Sequence, residues 1–143
     1  MPVRKGHAEW RGDLLKGSGA LGTESGTLKG VSYSFSSRFE SGKGTNPEEL
    51  LAAAHAACYS MALSANLSGK GYKVNSVRTE DSVHIDKQGD GFAITTIDIT
   101  TEASVDGIDD ATFQKFAEET KTGCPVSKAL SGPRMVLKAT LKK

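Results

Sequence analysis

The longest apolar stretch of the chain lies near its middle, between residues that typically start and end helices. Asn46 can act as an N-cap, and Pro47 has the backbone geometry of a first helical position. Glu49 follows three residues after Asn46, where a capping box places a carboxylate. Gly69 ends the segment. These signals predict one helix between Asn46 and Gly69.

This predicted helix is apolar on nearly every side. From Leu50 to Leu63 only His55 and Ser60 are plainly polar, which is typical of a buried helix rather than a surface helix. Cys58 lies mid-helix and shares a stripe with apolar residues. The members of that stripe are Leu51, Ala54, Met61, Ala62 and Ala65. We therefore expect the rest of the chain to fold around this helix, with Cys58 enclosed.

Shorter segments with alternating polarity precede the helix. Lys5 to Asp13 and Gly19 to Thr23 are predicted as strands in a glycine-rich region. From Thr27 to Phe39 apolar residues again alternate, which predicts a half-buried strand closed by Arg38. The polar segment from Glu40 to Asn46 is predicted as the loop that leads into the central helix.

A long antiparallel hairpin is predicted after the central helix. Its limbs run from Val74 to Ile85 and from Phe92 to Ile99. Between them, Lys87 to Gly91 supplies a turn with two glycines. The apolar spacing shifts between even and odd in both limbs, which indicates a bulge or a change of face.

Two helices and a closing strand complete the prediction. The first helix runs from Asp109 to Lys121. Cys124 precedes a proline, so it is the predicted N-cap of a short helix that runs to Leu130. Met135 to Ala139 alternates as a strand. The order β-β-β-α-β-β-α-α-β, without regular βαβ alternation, predicts an α+β fold with antiparallel sheets around the central helix.

Length and charge limit the classes of protein. With 143 residues the chain suits a single domain, 1–143. A net charge of +1 argues against binding to nucleic acid or a membrane surface through bulk charge. We expect no apolar run of membrane-spanning length, because Glu48, Glu49 and Lys70 bracket the central helix. The N-terminus lacks the apolar core of a secretory signal, so we expect a cytoplasmic protein.

The two cysteines are the main candidates for chemistry, and each has an ordinary structural alternative. Cys58 is either an inert core residue or a thiol that needs help to ionise, because burial disfavours a thiolate. Cys124, as an N-cap, either faces free N–H groups that lower its pKa or simply fills a helix corner. If the later helices fold onto the central one, the two sulfurs could meet in a reversible disulfide, but the sequence leaves their distance open.

The three histidines show no spacing typical of zinc ligands, and the chain has no C-x-x-C pair, so no metal or cofactor is predicted. His55 lies three residues before Cys58 and could touch its sulfur. A hydrogen-bonded core histidine is the preferred interpretation. The chain also has no G-x-S-x-G motif and no phosphate-binding glycine loop.

Two long cysteine motifs carry a resemblance to a known family. GTNPEELLAAAHAACYSMAL and GCPVSKAL, together with SSRFE, resemble the OsmC/Ohr family of osmotically inducible and organic hydroperoxide resistance proteins. The likeness covers essentially the whole chain, through HAEWRGD, TESG, GFAIT and Val105–Asp109. The extended segment from Tyr33 to Glu40, with the arginine of SSRFE, is more similar to the OsmC branch than to the Ohr branch.

The resemblance implies an OsmC-like fold, an intertwined homodimer and a thiol-dependent peroxidase that acts on organic hydroperoxides. Cys58 corresponds to the family's peroxidatic residue and Cys124 to its resolving residue, which together would form a disulfide. Arg38 corresponds to the activating arginine and Glu48 to its carboxylate partner. The resemblance further implies reduction by lipoylated protein thiols or small thiols, with no cofactor.

Arg38 and Glu48 also have simpler interpretations, as a solvated strand end and as a first-turn carboxylate that complements the helix dipole. Glu48 and Cys58 are ten residues apart on one predicted helix, which is about 15 Å along its axis. We therefore expect Glu48, and with it Arg38, to serve the Cys58 of the neighbouring subunit. Helix-dipole reasoning makes Cys124 the better thiolate, in tension with the roles that the resemblance implies.

Two other classes of protein could use the same residues. A redox-responsive binding protein would use the cysteine pair to sense oxidation and alter its affinity for a partner. A structural dimer with inert thiols would leave Cys58 slow to alkylate at neutral pH. Turnover of peroxide with a dithiol donor separates the first alternative from a peroxidase.

Overall fold

A computed structural model describes residues 1–142 as two compact units, Met1–Leu50 and Leu51 onward. The expected single domain, 1–143, remains a prediction. The elements of the described residues, in chain order, are β1 (Gly6–Arg11), β2 (Ser18–Thr23), β3 (Val31–Tyr33), α1 (Phe35–Phe39), α2 (Pro47–Ser68), β4 (Lys73–Gln88), β5 (Gly91–Asp106), α3 (Asp110–Gly123), α4 (Pro125–Ala129) and β6 (Arg134–Lys142).

The first unit contains a small antiparallel sheet in the order β1-β2-β3. The strands β1 and β2 match the two that the alternating pattern predicts. The Trp10 indole N–H donates to the carbonyls of Gly12 and Asp13, at 3.1 and 3.2 Å. Its ring lies 5.5 Å from the ring of Tyr33. The indole therefore ties the first turn to the far strand of the sheet.

The prediction of a strand from Thr27 to Phe39 is wrong for the second half of that segment. Only β3 is a strand there, and the chain then forms α1, so Arg38 lies on a helix. Ser34 is the N-cap of α1 and pairs reciprocally with Ser37: the Ser37 N–H donates to Ser34 Oγ at 3.1 Å, and the Ser34 N–H donates to Ser37 Oγ at 2.8 Å. A serine replaces the Glu or Gln that usually marks this capping box, so its sequence signal is weak.

The start of α2 confirms the N-cap that the sequence predicts. Asn46 Oδ1 accepts a hydrogen bond from the backbone N–H of Glu49 at 2.8 Å. Asn46 Nδ2 donates to the Ser37 carbonyl at 2.9 Å, which ties α2 to α1 within the first unit. The Glu49 carboxylate accepts from the Thr45 hydroxyl at 2.7 Å. Helix α2 then continues for 22 residues, close to the predicted bounds.

The second unit is built on a three-stranded sheet in the order β4-β5-β6. Strands β4 and β5 form the predicted antiparallel hairpin, and register shifts near Val74 and His84 confirm the expected irregularity. Strand β6 pairs with β5 in parallel, which corrects the expectation of wholly antiparallel sheets. Parallel neighbours need a crossover connection, and α3 and α4 supply it between β5 and β6.

Residues of α2, α3 and β5 form the core of the second unit. The buried apolar side chains of this core are Tyr59, Leu63, Leu67, Ile97, Ile99, Ala103, Val105 and Phe113. The Tyr59 hydroxyl donates to the Ala117 carbonyl of α3 at 2.8 Å. The phenol therefore contributes apolar packing while its polar end keeps a partner.

Helix α2 buries one stripe in the single chain. The fully buried residues of this stripe are His55, Tyr59, Leu63 and Leu67. Another side carries exposed apolar residues, among them Ala53, Ala57 and Met61, which is 76% exposed. Cys58 lies off the buried stripe and is half-buried, so in the single chain it is not enclosed as the apolar pattern indicates.

Helix α2 is also long and apolar enough to cross a membrane by length and composition alone, with a mean hydropathy of 1.3. The expectation that no run reaches that length is therefore wrong. Core helices of folded domains pass the same test, and α2 contributes Tyr59 and Leu63 to the core just described. Its length by itself therefore assigns no membrane role.

Leu63→Ala should lower the free energy of unfolding by about 2–5 kcal/mol, because it removes a fully buried side chain and leaves a cavity. Lys115→Ala, at an exposed position of α3, should change it by less than about 0.5 kcal/mol. Equilibrium unfolding in urea measures both. If the two variants are equally stable, α2 does not pack as described.

Candidate active site

Cys124 is the N-cap of α4 and is only 1% exposed. The backbone N–H of Ser127 donates to its sulfur at 3.3 Å, and the Ser127 hydroxyl lies 3.0 Å from the same atom. Burial alone would raise the pKa of the Cys124 thiol. The hydrogen bonds from Ser127 and Cys58 and the charge of His55 outweigh burial, so this pKa lies below its ordinary value. The predicted cap is confirmed, with the pKa direction that cap reasoning indicates.

Cys58 lies on α2 beside Cys124. The two thiols lie close enough that each shifts the pKa of the other, and both are free. Burial raises the pKa of the Cys58 thiol, the backbone of Val126 opposes that rise, and Cys124 adds to it, so the pKa lies above its ordinary value. In the single chain Cys124 is therefore the more acidic thiol. The fold also brings together the two sulfurs, whose separation the sequence does not determine.

Arg38 and Glu48 form a bidentate ion pair within the first unit. Arg38 Nε lies 2.9 and 3.2 Å from the two carboxylate oxygens of Glu48, and Arg38 Nη2 lies 2.7 Å from one of them. Glu48 is buried, whereas the Arg38 side chain is 38% exposed. The carboxylate therefore fixes the direction of the guanidinium, which stays accessible.

Aromatic side chains surround Arg38. Its guanidinium carbon lies 5.2 Å from the centroid of the Phe39 ring, a cation–π contact, and the Phe35 and Phe39 rings lie 5.0 Å apart. A cavity of about 240 Å³ opens beside them. Its lining includes Trp10, Leu14, Tyr33, Phe35, Arg38 and Phe39. The cavity is mostly apolar, with the Arg38 cation on its wall.

His55 of α2 is fully buried and has a partner at each ring nitrogen. Nδ1 pairs with the Asp81 carboxylate of β4, and Nε2 lies 2.7 Å from the Ser127 hydroxyl of α4. Burial alone would lower the pKa of His55, but the hydrogen bond and charge of Asp81, with the charge of Cys124, raise it above its ordinary value. The interpretation of His55 as a hydrogen-bonded core histidine is confirmed.

Sequence reasoning missed Asp81 and Ser127. Asp81 lies on the same, less exposed face of β4 as Thr79 and Val83. A carboxylate at such an inward position is a usable signal, because a buried charge requires a partner. Ser127 lies three residues after Cys124, where a cap side chain meets the backbone of the first turn.

The described part of the chain presents thiols and an ion pair as its candidate chemistry. Among residues 1–142, no group of three or more His, Cys, Asp or Glu side chains is placed to hold a metal ion. Of the four residues that the resemblance selects, Arg38 pairs with Glu48 in the first unit and Cys58 pairs with Cys124 in the second.

The chain is similar to known proteins over most of its length. The sequence profile described as OsmC-like protein matches residues 40–138, more than half of the chain. The chain belongs to the OsmC-like protein family. The peroxiredoxin OsmC of Escherichia coli (strain K12) is 50% identical to it over 127 residues, which cover 89% of each chain.

Organic hydroperoxide resistance proteins are similar to the chain at lower identity. An organic hydroperoxide resistance protein of Xanthomonas axonopodis pv. citri (strain 306) is 35% identical over 92 residues, covering 64% of this chain and 63% of that protein. The crystal structure of the organic hydroperoxide resistance protein OhrB of Bacillus subtilis matches with a TM-score of 0.66 at 26% identity, covering 96% of this chain and 98% of that one. The predicted α+β, OsmC-like fold is therefore confirmed.

Mild oxidation of this OsmC-like protein with one equivalent of diamide should join Cys58 and Cys124 within one chain, because the two thiols are close neighbours. Intact mass spectrometry should show the loss of two hydrogens per chain. Cys58→Ser is the control and should show no such loss. Products linked between chains on a non-reducing gel, in place of the internal bond, would contradict the proximity of the two thiols within one chain.

Proposed function

We propose that this OsmC-like protein is a thiol-dependent peroxidase that reduces organic hydroperoxides to alcohols. The names of its relatives, a peroxiredoxin and an organic hydroperoxide resistance protein, support a peroxide-related redox role. The observation that carries the proposal is the proximity of two free thiols, Cys58 and Cys124, which shift each other's pKa values. A pair of neighbouring thiols suits a reaction in which one sulfur is oxidised and the other resolves it.

In the first step, Cys58 meets the peroxide, since it is half-buried whereas Cys124 is only 1% exposed. The Cys58 thiolate attacks the terminal peroxide oxygen. A sulfur–oxygen bond forms as the oxygen–oxygen bond breaks, which leaves a sulfenic acid on Cys58. The departing alkoxide takes up one proton and leaves as the alcohol.

The Cys58 thiolate needs a cation, because its contacts in the single chain raise its pKa. Arg38, oriented by Glu48, is the proposed source of that charge. Its guanidinium would also stabilise the departing alkoxide. Ten residues of helix rise between Glu48 and Cys58 favour delivery of Arg38 by the neighbouring subunit.

In the second step, Cys124 attacks the sulfur of the Cys58 sulfenic acid. The disulfide forms, the sulfur–oxygen bond breaks, and hydroxide leaves with one proton as water. An external dithiol, either a dihydrolipoyl protein or a small dithiol, then exchanges with the disulfide, restores both thiols and is itself oxidised. The cycle returns both cysteines to thiols, which suits the reducing cytoplasm, where we place the protein.

The cavity beside Arg38 favours organic peroxides over hydrogen peroxide. Its aromatic wall offers apolar surface to an alkyl or aryl group. Arg38 on the same wall can donate a hydrogen bond to a peroxide oxygen. One apolar wall and one cation match the two ends of an organic hydroperoxide.

We also propose that the working unit is a homodimer. Helix α2 exposes Ala53, Ala57 and Met61 in the single chain, an apolar surface that a second copy can cover. A dimer would also provide the neighbouring subunit from which Arg38 is proposed to come.

Cys58→Ser should abolish peroxide reduction, whereas Cys124→Ser should reduce about one equivalent and then stop, because its sulfenic acid is not resolved. Consumption of cumene hydroperoxide, with and without dihydrolipoamide, measures both. The opposite pattern would show that the two cysteine roles are reversed. A wild-type protein that stops after one oxidation, even with the dithiol, would instead favour a redox-responsive binding protein that uses the same disulfide.

Arg38→Met should slow the oxidation of Cys58 by about 100-fold, because it removes the charge that stabilises both the thiolate and the departing alkoxide. Lys43→Met, which removes an exposed cation from the loop before α2, is the matched control and should keep the wild-type rate. Stopped-flow measurement of the second-order rate constant tests both. Equal rates for the two variants would remove Arg38 from the mechanism.

Mixing the Arg38→Met and Cys58→Ser proteins tests which subunit supplies Arg38. In a mixed dimer, the intact Cys58 of one chain meets the intact Arg38 of the other, so activity should recover to about a quarter of wild type at equal amounts. Subunit exchange is verified with distinguishable tags. If activity does not recover after exchange, both residues act within one chain. If the subunits do not exchange and the protein has the mass of a monomer, the dimer is contradicted.

A further inference from the structure

A chain of hydrogen bonds crosses the second unit from β4 to the sulfur of Cys124. The Asp81 carboxylate pairs with His55 Nδ1, and His55 Nε2 lies 2.7 Å from the Ser127 hydroxyl. That hydroxyl lies 3.0 Å from Cys124 Sγ. The side chains of Asp81 and His55 are fully buried, and Ser127 is only 4% exposed. The peroxidase cycle described above leaves Asp81, His55 and Ser127 without a role.

The donors and acceptors of this chain fit two arrangements of protons, and Asp81 accepts from His55 Nδ1 in both. In the first, the Cys124 thiol donates to the Ser127 oxygen, and the Ser127 hydroxyl donates to a neutral Nε2. In the second, the Nε2–H of a charged His55 donates to Ser127, whose hydroxyl donates to a Cys124 thiolate. Between the two, one proton moves from sulfur to imidazole without passing through water.

The surroundings favour the second arrangement. The Asp81 carboxylate has no exposed surface, and among residues 1–142 its Oδ1 has no hydrogen-bond partner. A buried carboxylate with one unsatisfied oxygen is costly, and an imidazolium compensates its charge. The backbone N–H of Ser127 also donates to Cys124 Sγ at 3.3 Å, which stabilises negative charge on the sulfur.

We propose that Asp81, His55 and Ser127 form a proton relay that holds Cys124 as a thiolate paired with the His55 imidazolium. Ser127 contacts the reacting sulfur, and His55 and Asp81 are positioning residues that act through it. Burial opposes both shifts, yet the pKa of Cys124 is lowered and the pKa of His55 is raised, as a thiolate–imidazolium pair requires.

Other titratable groups face this relay. Cys58 on α2 is a neighbour of Cys124 and adds to the lowering of its pKa. The Tyr59 ring lies 6.2 Å from the His55 ring, and burial, with the charge of Glu118 on α3, raises the pKa of Tyr59, so the phenol stays neutral. Lys121 and Lys128 line a cavity together with Ser127. Of these two lysines and His55, His55 is the cation whose charge lowers the pKa of Cys124. Neither Cys58 nor Tyr59 supplies a positive charge, so His55 is the cation of the relay.

This inference deepens the proposed function, and its kinetic part rests on it. Resolution requires a Cys124 thiolate to attack the sulfur of the Cys58 sulfenic acid. With the relay, Cys124 is ionised at a pH where an ordinary thiol still keeps its proton. The departing hydroxide takes up one proton and leaves as water. This proton balances the one that Cys124 gave to His55. Resolution should therefore depend little on pH near neutrality.

The decisive measurement needs no peroxide. In the Cys58→Ser protein Cys124 is the one remaining cysteine, so thiolate absorbance against pH reports its pKa. Ser127→Ala or His55→Gln, added to that protein, should raise the pKa of Cys124 by about one unit or more, because each breaks the relay. Asp81→Asn should raise it too, since an amide orients the imidazole without stabilising its charge.

His84 supplies a matched control. Its Nε2 lies 2.6 Å from Asp98 Oδ2, but both side chains are exposed and neither is among the groups that shift the pKa of Cys124. His84→Gln should therefore leave that pKa unchanged. Circular dichroism checks that every variant folds, and Ser127→Ala, the loss of one oxygen atom, decides the question if the His55 variant does not fold. An unchanged pKa of Cys124 in folded Ser127→Ala overturns the relay.

A second readout follows resolution itself. With both cysteines present, Ser127→Ala should accumulate the Cys58 sulfenic acid and close the disulfide about tenfold more slowly at neutral pH. Its closing rate should rise with pH where the wild-type rate is flat. Rapid mixing with peroxide, followed by alkylation and mass spectrometry, measures this. If Ser127→Ala closes the disulfide at the wild-type rate with a flat pH profile, the relay is overturned. If the wild-type protein reduces no peroxide, the proposed function fails. The thiolate titration still decides the relay in that case.

Discussion

His55 makes two hydrogen bonds inside the second unit, and the position of the thiols depends on them. One bond joins α2 to Asp81 of β4, and the other joins α2 to Ser127 of α4, whose N-cap is Cys124. Because the imidazole is fully buried, water does not compete for either bond, and the loss of either would leave a polar group unsatisfied in the interior. The bonds therefore hold the start of α4 against the part of α2 that carries Cys58.

The same surroundings act on the two thiols in opposite directions. Ser127 and the charge of His55 stabilise negative charge on Cys124. Burial and the nearby Cys124 instead raise the pKa of Cys58. Local contacts thus account for a resolving thiolate better than for an attacking one. The proposed peroxidase therefore depends on a cation from outside this neighbourhood, and Arg38 is suited to that role because its carboxylate partner orients the guanidinium and leaves it accessible.

Much of the backbone could be predicted because its signals are local. The caps of α2 and α4 each depend on hydrogen bonds within three residues, so Asn46 and Cys124 could be assigned from their spacing to proline. Helix α1 was missed because Ser34 and Ser37 form its capping box without the usual acidic residue, while alternating apolar residues favoured a strand. The parallel pairing of β6 was missed because strand direction is set by the crossover and not by the strand's own alternation.

The sequence by itself determined the family, the order of the elements apart from α1, and the places of Cys58 within the central helix and of Cys124 at a helix N-cap. It did so because helix caps, alternating polarity and long motifs depend on residues that are close together in the sequence. Only the tertiary structure decided which stripe of α2 is buried and which distant side chains align on Cys124. Asp81, His55 and Ser127 lie on three separate elements. Hydrogen bonding among them depends on how these elements pack, which local sequence patterns do not predict.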